Sequence, residues 1–425
     1  MDIDISYGEQ QFCVNIPADC VVLTPKKVKK KDEHKIIDDA LRHPIDAGSF
    51  QEFLKNAQEL LVIVNDASRP SATAKILEHI HPSLSKIPKV EYLVATGSHR
   101  PPTPEEYRYI FGRFYDLLKP QIFTHDARNP QIMTYLGKST RGTEVSMNKM
   151  VLDHRHILII GSVEPHYFAG YTGGRKAFLP GVSAYRTIEM NHKFALSKEA
   201  RSLNLKGNPV HEDMIEISTM VKERSIFSMQ TVMTEERDIY AMATGDLYKT
   251  FEAMLPYANE VFCMPLERKG NIVITVAPYP MDIDLYQSQK ALDNAKLAVE
   301  HGGIIILVSQ CRMGVGEDNF LKLLCKARTP QAILDILQEE YKLGYHKAAK
   351  IAEIATYAQI WAVTDLEDDI IRKAMFTPYH DAQTAIHDAV RTIKGKGMEP
   401  HVIVMPAGSL TIPLVTEGKT ATKSS

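Results

Sequence analysis

The sequence predicts an α/β protein with two domains, each built on a mainly parallel sheet. Short, continuous apolar runs such as Leu60-Leu61-Val62-Ile63-Val64 are typical of strands that are buried on both faces. Helix signals alternate with these runs along the chain, as parallel sheets require. The 425 residues suit two to three domains, and proline, charge and glycine cluster at 265–270. We therefore expect an N-terminal domain over 1–265 and a C-terminal α/β domain over 266–425.

The first half of the chain begins with alternating apolar and polar residues that predict a hairpin, followed by a basic connector at 26–31. Thr103-Pro104-Glu105-Glu106 predicts a helix start. Thr is a good N-cap, Pro fits the first helical position, and Glu three residues after the cap completes a capping box. The predicted strands of this half are 3–7, 11–16, 60–64, 90–95 and 157–160.

The second half repeats the alternation of strands and helices. A helix is predicted over 288–301, stopped by Gly302-Gly303, and another begins at Thr329-Pro330. Trp361, the single tryptophan, lies in a predicted strand and is interpreted as core. The tail from Glu417 is polar and is expected to fray. The predicted strands of this half are 271–276, 304–308, 359–363 and 402–405.

Composition excludes several classes of protein. The 50 Lys plus Arg nearly balance the 52 Asp plus Glu, so no overall field attracts nucleic acid or an anionic membrane surface. No apolar stretch approaches the roughly 20 residues that span a bilayer, and the acidic start Met1-Asp2-Ile3-Asp4 is unlike a signal peptide. Five cysteines without a C-x-x-C motif suggest neither a disulfide framework nor a thiolate zinc site. We expect a soluble, cytoplasmic protein whose partners must be identified from local sites.

Acidic, basic and imidazole side chains follow three predicted strands of the first half. Asp66 and Arg69 come after the first of these strands, His99 after the second and His166 after the third. In open α/β sheets, ligands bind beyond the carboxyl ends of the strands. Each residue taken alone has a structural interpretation as a cap, an ion pair or a loop residue. Together they favour a site at one edge of the sheet.

The segment from His166 to Gly181 is the densest in candidate residues. Thr172-Gly173-Gly174, before Arg175-Lys176, can bring backbone N–H groups close to an anion. The spacing matches neither a Walker A motif nor a Rossmann fingerprint, so a plain tight turn is an equal alternative. Ser183 can cap a following helix that carries His192 toward the same region. The alternative for His192 is a structural role, as a surface or buried core residue.

Taken together, these segments resemble the nickel-pincer nucleotide-dependent lactate racemases and their 2-hydroxyacid racemase and epimerase relatives. The resemblance covers most of the chain and includes the steps of ten residues from His166 to Lys176 and sixteen from there to His192. Ser98, where Thr is common, and Ala67-Ser68 are mild departures. The remaining matching motifs are Asp66-x-x-Arg69-Pro70, Ala-Thr-Gly-Ser-His99-Arg, and Gln287 with Lys290.

The resemblance implies an isomerase that inverts lactate or a related 2-hydroxyacid through a 2-keto acid, by hydride transfer to a covalently bound cofactor. That cofactor is pyridinium-3,5-bisthiocarboxylic acid mononucleotide holding nickel, the nickel-pincer nucleotide. The resemblance implies that Lys176 is its covalent attachment, that His192 is the nickel ligand, and that His99 and His166 are the acid/base pair. It implies substrate binding by Arg69, Gln287 and Lys290, and cofactor contacts from Asp66, Arg69, Thr172, Gly173 and Gly174.

The implied architecture is an N-terminal domain that tethers the cofactor and a C-terminal domain that closes an interdomain active-site cleft. The implied partners are the 2-hydroxyacid and, transiently, proteins that make the cofactor and insert nickel. One alternative is a nucleotide-dependent dehydrogenase or a hydrolase with a histidine pair. It is disfavoured because no Rossmann glycine fingerprint, Gly-x-Ser-x-Gly elbow or His-Glu-x-x-His motif occurs. The second alternative is a non-catalytic nucleotide-binding protein, but nucleotide binding alone does not require a pair of basic histidines.

Overall fold

The computed structural model describes residues 1–26, 28–279, 281–327 and 329–415. Contacts divide the chain into two compact units. The central unit is Val28–Val261, and the terminal unit combines the N-terminal segment 1–26 with the described residues from Phe262 onward. The boundary expected at 265 therefore lies close to a change of unit. The sequence did not predict that the N-terminal segment packs with the C-terminal half.

The strands, numbered in chain order, are β1 (Asp2–Tyr7), β2 (Gln10–Asn15), β3 (Asp19–Val22), β4 (Glu59–Asn65), β5 (Lys89–Ala95), β6 (Ile122–Thr124), β7 (Met133–Lys138), β8 (Glu144–Asn148), β9 (His156–Ser162), β10 (Pro165–His166), β11 (Gly170–Tyr171), β12 (Ser225–Met233), β13 (Ile239–Gly245), β14 (Cys263–Leu266), β15 (Gly270–Val276), β16 (Val299–Val308), β17 (Gln359–Val363), β18 (Thr377–Tyr379), β19 (His401–Met405) and β20 (Ile412–Val415).

The α-helices are α1 (Glu33–Arg42), α2 (Phe50–Leu54), α3 (Thr73–Leu84), α4 (Pro104–Phe111), α5 (Tyr115–Leu118), α6 (Met150–Asp153), α7 (Tyr185–Lys193), α8 (Pro209–Thr219), α9 (Leu247–Phe262), α10 (Leu285–Ala298), α11 (Asp318–Lys326), α12 (Pro330–Glu339), α13 (Tyr345–Ala355), α14 (Asp368–Lys373) and α15 (Ala382–Gly395). Short 3-10 turns occur at Gly112–Phe114, Lys119–Gln121, Pro130–Ile132, Gly174–Ala177 and Phe194–Leu196.

The central unit is built on a sheet with the strand order β13-β12-β9-β4-β5-β6. All neighbours in it are parallel except β13, which runs antiparallel to β12. Strand β4 lies in the middle, and its run Leu60–Val64 is at most 1% exposed, because both faces of the sheet are covered. The carboxyl ends of β4, β5 and β9 therefore lie side by side at one edge of the sheet.

The terminal unit has a second sheet with the order β18-β17-β16-β15-β19-β3, in which every pairing is parallel. The hairpin β1–β2 packs on its core through Ile3, Ile5 and Val14. Trp361 is 5% exposed in β17 and stacks on Tyr379, which confirms its interpretation as core. The prediction of two α/β domains with mainly parallel sheets is confirmed.

Most predicted elements are present, with one helix end misplaced. Thr103 caps α4 with the predicted capping box, and Thr329 caps α12. The helix predicted over 288–301 is α10, which is capped earlier, by Asp284, and ends at Ala298. Gly302 and its neighbour do not stop that helix, because residues from Val299 onward already belong to β16 and pair with β15. The tail from 417 lies outside the described residues.

Within the part of the chain that the structure describes, no helix is both long enough and apolar enough to cross a membrane.

Candidate active site

The central unit presents its candidate residues on loops that follow neighbouring parallel strands. Asp66 follows β4, His99 lies four residues after β5, and His166 ends the short strand β10 that follows β9. A backbone hydrogen bond from Gly97 N to Gly181 O, 2.9 Å long, joins the loop after β5 to the segment after Lys176. The predicted convergence of strand-end loops at one edge of the sheet is thus built into the fold.

Asp66 and His99 form a close pair at this edge. Nδ1 of His99 lies 2.7 Å from Oδ2 of Asp66, and the Ser68 hydroxyl donates to Oδ1 of the same carboxylate at 2.6 Å. The carboxylate is 9% exposed, whereas the His99 ring is 54% exposed. Burial raises the pKa of Asp66, but the hydrogen bond and charge of His99 outweigh it and leave the pKa below its ordinary value. Asp66 is therefore an ionised carboxylate that orients His99.

His166 is held in a different way, by backbone and aromatic rings. It is 7% exposed, and the Ala169 N–H donates to its Nδ1 at 3.3 Å. Its ring stacks on Tyr167 at a centroid distance of 4.9 Å and meets Phe168 edge-on at 4.6 Å. Nδ1 of His99 thus contacts a carboxylate, whereas Nδ1 of His166 contacts a backbone N–H.

Phe168 connects three of the candidate residues. Its ring meets His166 and also meets His192 edge-on at 5.0 Å, and Nζ of Lys176 lies 5.7 Å from its centroid. His192, on α7, is 8% exposed. Burial, followed by the charges of Lys176 and His99, lowers the pKa of His192 to about 3. His192 is therefore neutral, which is the form in which imidazole binds a metal ion.

The loop that carries Lys176 is organised by its neighbour Arg175, which the sequence analysis did not single out. Arg175 is 1% exposed, and its guanidinium donates to four backbone carbonyls and to Nδ1 of His211, at 2.8 to 3.2 Å. Its guanidinium also lies 4.4 Å from the centroid of the Phe251 ring. The four carbonyls are those of Ala169, Tyr171, Thr172 and Gly173. The sequence Arg175-Lys176 alone does not show which of the two basic side chains points inward.

The Thr-Gly-Gly turn, a candidate anion site with a plain tight turn as the alternative, packs against protein at two of its backbone amides. Thr172 N–H donates to the Glu164 carbonyl at 2.7 Å, and Gly174 N–H donates to Oε1 of Gln230 at 2.9 Å. Gly173 has φ +81°, and a Cβ there would lie 2.6 Å from Cγ2 of Val163. Gly173 is needed for close packing of the turn on the end of β9, and Gly174 for its close approach to Phe251. Two of the three amides are therefore engaged inside the protein.

The helix that carries His192 is fixed by its other buried residues. Asn191 donates to Asp213, which is fully buried, at 2.8 Å and to the Val210 carbonyl at 3.2 Å. Ser183 is not the predicted cap of α7, because its hydroxyl donates to the Phe178 carbonyl and the N-cap position is Ala184. The fold thus fixes α7 through side chains that sequence reasoning did not identify.

Arg69 and two residues of the terminal unit are the predicted substrate ligands. Arg69 is half-buried, and its positive charge helps to lower the pKa of Asp66. Gln287 and Lys290 lie half-buried in the first turns of α10, where the Gln287 N–H donates to the Asp284 carboxylate at 2.6 Å. Nζ of Lys347 donates to the Tyr286 carbonyl and fixes this turn further. Among the described residues, no group of three or more His, Cys, Asp and Glu side chains is arranged to hold a metal ion.

Two family models match the chain. The model described as Lactate racemase N-terminal domain matches residues 7–203, and the one described as Lactate racemase C-terminal domain matches 266–412. A lactate racemase of Thermoanaerobacterium thermosaccharolyticum is 27% identical over 423 residues, covering 96% of this chain and 98% of that protein. A lactate racemase of Lactiplantibacillus plantarum is 28% identical over 390 residues, covering 89% and 90%.

Solved structures agree with these matches. The structure of the lactate racemase apoprotein from T. thermosaccharolyticum has a TM-score of 0.89 to this chain at 26% identity, covering 97% of this chain and all of that one. A crystal structure of a protein from Thermotoga maritima has a TM-score of 0.68 at 15% identity, covering 92% of this chain and all of that one. The second likeness shows a shared fold alone.

Proposed function

The chain belongs to the lactate racemase family and is an isomerase, and on that premise we propose that it inverts the α-carbon of lactate or a related 2-hydroxyacid. The observation that carries the proposal is the grouping around Phe168. His166, Lys176 and the neutral, buried His192 of α7 lie around the Phe168 ring. His99 lies close enough for its charge to lower the pKa of His192. Such a set supplies proton transfer, an amine for attachment and a nitrogen ligand in one place.

The residues present fit the nickel-pincer nucleotide in two of its three expected contacts. Lys176 supplies an amine in a loop that Arg175 holds in place, and His192 supplies a neutral nitrogen. Imidazole suits nickel, and His192 would supply the one protein ligand where the cofactor supplies the other donors. This group, held by Lys176 and His192, would supply a hydride acceptor, which would avoid the carbanion that proton abstraction beside a carboxylate produces.

The third expected contact, with the nucleotide phosphate, is supported less. The amides of Thr172 and Gly174 are engaged within the protein, which leaves Gly173 as the candidate of that turn. Asp66 uses its carboxylate on His99 and Ser68, so we propose that its main role is to orient His99. Arg69 remains a candidate for both the nucleotide and the substrate.

His99 and His166 are proposed to move the hydroxyl proton of the substrate. Loss of that proton accompanies oxidation of the α-carbon, and return of the proton accompanies reduction of the 2-keto acid. An imidazole with an ordinary pKa near 6.5 can carry a proton in either direction at neutral pH. Because a flat ketone can be reduced on either face, a histidine on each side of the substrate accounts for inversion.

Arg69, Gln287 and Lys290 are proposed to hold the substrate carboxylate and oxygen. A guanidinium can donate two parallel hydrogen bonds to a carboxylate, and an ammonium adds charge. That residues of both units meet at one cleft stays a prediction. We also propose that the chain acts in the cytoplasm and receives its cofactor from biosynthetic and nickel-insertion proteins.

The test is chiral chromatography of single-enantiomer 2-hydroxyacids incubated with holoenzyme made alongside the cofactor pathway. Racemisation of lactate or another acid in the panel is expected, with an α-deuterium label retained in the product because the hydrogen moves as hydride. His99→Gln and His166→Gln should each slow inversion in both directions by about 100- to 10,000-fold. His387→Gln, at an exposed position on α15, is the matched control and should be unchanged.

Two outcomes would refute the proposal. One is a holoenzyme that inverts no acid in the panel. The other is inversion with rapid loss of the α-deuterium to solvent, since that result indicates removal of a proton from carbon in place of hydride transfer.

A further inference from the structure

The two candidate acid/base histidines differ in what their Nδ1 atoms contact. Nδ1 of His99 faces a carboxylate, whereas Nδ1 of His166 faces a backbone N–H. A neutral imidazole carries one proton, and the partner of one ring nitrogen decides which nitrogen holds it. The two rings therefore cannot hold their protons at the same position.

At His99 the partner can only accept. Oδ2 of Asp66 lies 2.7 Å from Nδ1, and Asp66 is a buried, ionised carboxylate. The Ser68 hydroxyl donates to Oδ1 of Asp66, so its own oxygen, 3.3 Å from Nδ1 of His99, also presents a lone pair to that atom. The proton of neutral His99 is therefore on Nδ1, and Nε2 has the lone pair.

At His166 the partner can only donate. The N–H of Ala169 points to Nδ1 at 3.3 Å, and a backbone amide has no lone pair with which to accept. A proton on Nδ1 would face this N–H and break the bond, as would the doubly protonated imidazolium. The proton of neutral His166 is therefore on Nε2.

We propose that the resting protein holds His99 and His166 in opposite tautomers, so that His99 is the proton acceptor and His166 a neutral hydrogen-bond donor. The consequence for catalysis rests on the proposed function. The enantiomer whose hydroxyl faces His99 loses its proton to Nε2 directly. The hydroxyl of the other enantiomer faces an N–H, and His166 can accept its proton at Nε2 only after its own proton has moved to Nδ1 through solvent, which breaks the hydrogen bond from the Ala169 N–H.

Opposite tautomers give different roles to two residues that have the same role in a symmetrical two-base scheme. A neutral imidazole donor is an established way to polarise a substrate carbonyl. In this chain, the Ala169 amide favours that form because it satisfies the lone pair on Nδ1. His166 would then donate to the oxygen of the 2-keto acid, while His99, backed by Asp66, takes up positive charge.

The experiment uses the full chain made without the cofactor pathway and labelled with nitrogen-15 at histidine. Long-range proton–nitrogen spectra distinguish the two neutral tautomers. They are recorded at about pH 8.5, roughly two pH units above the ordinary histidine pKa of about 6.5. His99→Gln and His166→Gln assign the signals by their disappearance. The expected result is an Nδ1–H pattern for His99 and an Nε2–H pattern for His166.

Two variants separate the cause from general structure. Asp66→Ala should shift His99 toward the Nε2–H form and leave His166 unchanged. Asp38→Ala removes a carboxylate 2.8 Å from Nδ1 of a different histidine, His79, and should change neither signal. The same tautomer at both histidines, or an unchanged His99 in Asp66→Ala, would overturn the inference. Because the spectra need neither cofactor nor substrate, an inactive holoenzyme would refute the proposed function without changing this reading.

Discussion

The Nε–H of Arg175 donates to Nδ1 of His211 across 3.1 Å inside the central unit. Because Nδ1 accepts, His211 must be neutral, and burial followed by the charge of Arg175 lowers its pKa to about 3. Burial also lowers the pKa of Arg175, to about 9. Among the described residues, Arg175 has no carboxylate in ion-pair contact, so carbonyl dipoles and His211 stabilise its charge. The loop before Lys176 is thus wrapped around a buried guanidinium.

This arrangement predicts that Arg175→Lys is not a conservative change. A lysine ammonium has three donors in place of five and cannot reach the same carbonyls in one plane. We expect the free energy of unfolding to fall by about 2–4 kcal/mol, measured by urea denaturation. Arg186→Lys, in an exposed ion pair with Glu189, is the matched control and should change it by less than about 0.5 kcal/mol. Equal stabilities for the two variants would mean that the guanidinium contacts contribute little.

The lowered pKa of Asp66 predicts part of the acid sensitivity of the protein. A carboxyl whose pKa is lower in the folded state stabilises that state above its unfolded pKa of about 3.9, and this contribution is lost as pH falls through the folded pKa. The wild-type free energy of unfolding should therefore fall more steeply below about pH 4 than that of Asp66→Asn. The measurement is denaturant unfolding at a series of pH values from about 6 to 3. Parallel curves for the two proteins would contradict the assignment.

His192 is predicted to bind nickel without serving as the attachment point. In His192→Ala, protein made with the cofactor pathway should retain the organic adduct while its nickel content falls, because a ligand is lost and the tether is kept. Intact mass and elemental analysis measure the two quantities separately. His387→Ala should retain both, since that histidine is exposed and lies in the terminal unit. Wild-type nickel occupancy in His192→Ala would remove the residue from the metal site.

The substrate-binding assignments predict losses of turnover. Arg69→Ala and Lys290→Ala should each lower kcat/KM by a factor that corresponds to roughly 2 kcal/mol or more, as for loss of a charged hydrogen bond. Arg113→Ala is the control, because Arg113 is exposed and pairs with Glu78 on the surface. Wild-type kinetics in both test variants would place the substrate carboxylate elsewhere.

The positions of the main elements could be predicted from sequence because they depend on local signals. Apolar runs defined β4, β5 and β9, and the capping box at Thr103 marked the start of α4. The end of α10 was missed because glycines resemble a helix stop, whereas pairing with β15 continues a strand through them. The N-terminal hairpin joined the distant C-terminal half through packing that no local pattern reveals.

The sequence predicted the candidate site as a set of residues but did not predict the contacts among them. The position of Asp66 after a strand marked it as a site residue, but its contact with His99 depends on the side-by-side order of β4 and β5. A glycine pair before basic residues suggested an anion site. The structure shows that the glycines permit close packing and that Arg175 turns inward. Such contacts depend on how segments far apart in sequence pack, which spacing alone does not encode.

The most direct test of the account is the mass of the peptide that contains Lys176, measured in protein produced together with the cofactor pathway. We predict an added mass equal to the attached mononucleotide on that peptide, located at Lys176 by fragmentation, and its absence from Lys176→Arg. The fraction of protein that carries the adduct should be lower in Arg175→Lys, because that change removes contacts that hold the loop of Lys176 in place. An unmodified Lys176 in protein that racemises a 2-hydroxyacid, or an unchanged adduct in Lys176→Arg, would contradict it.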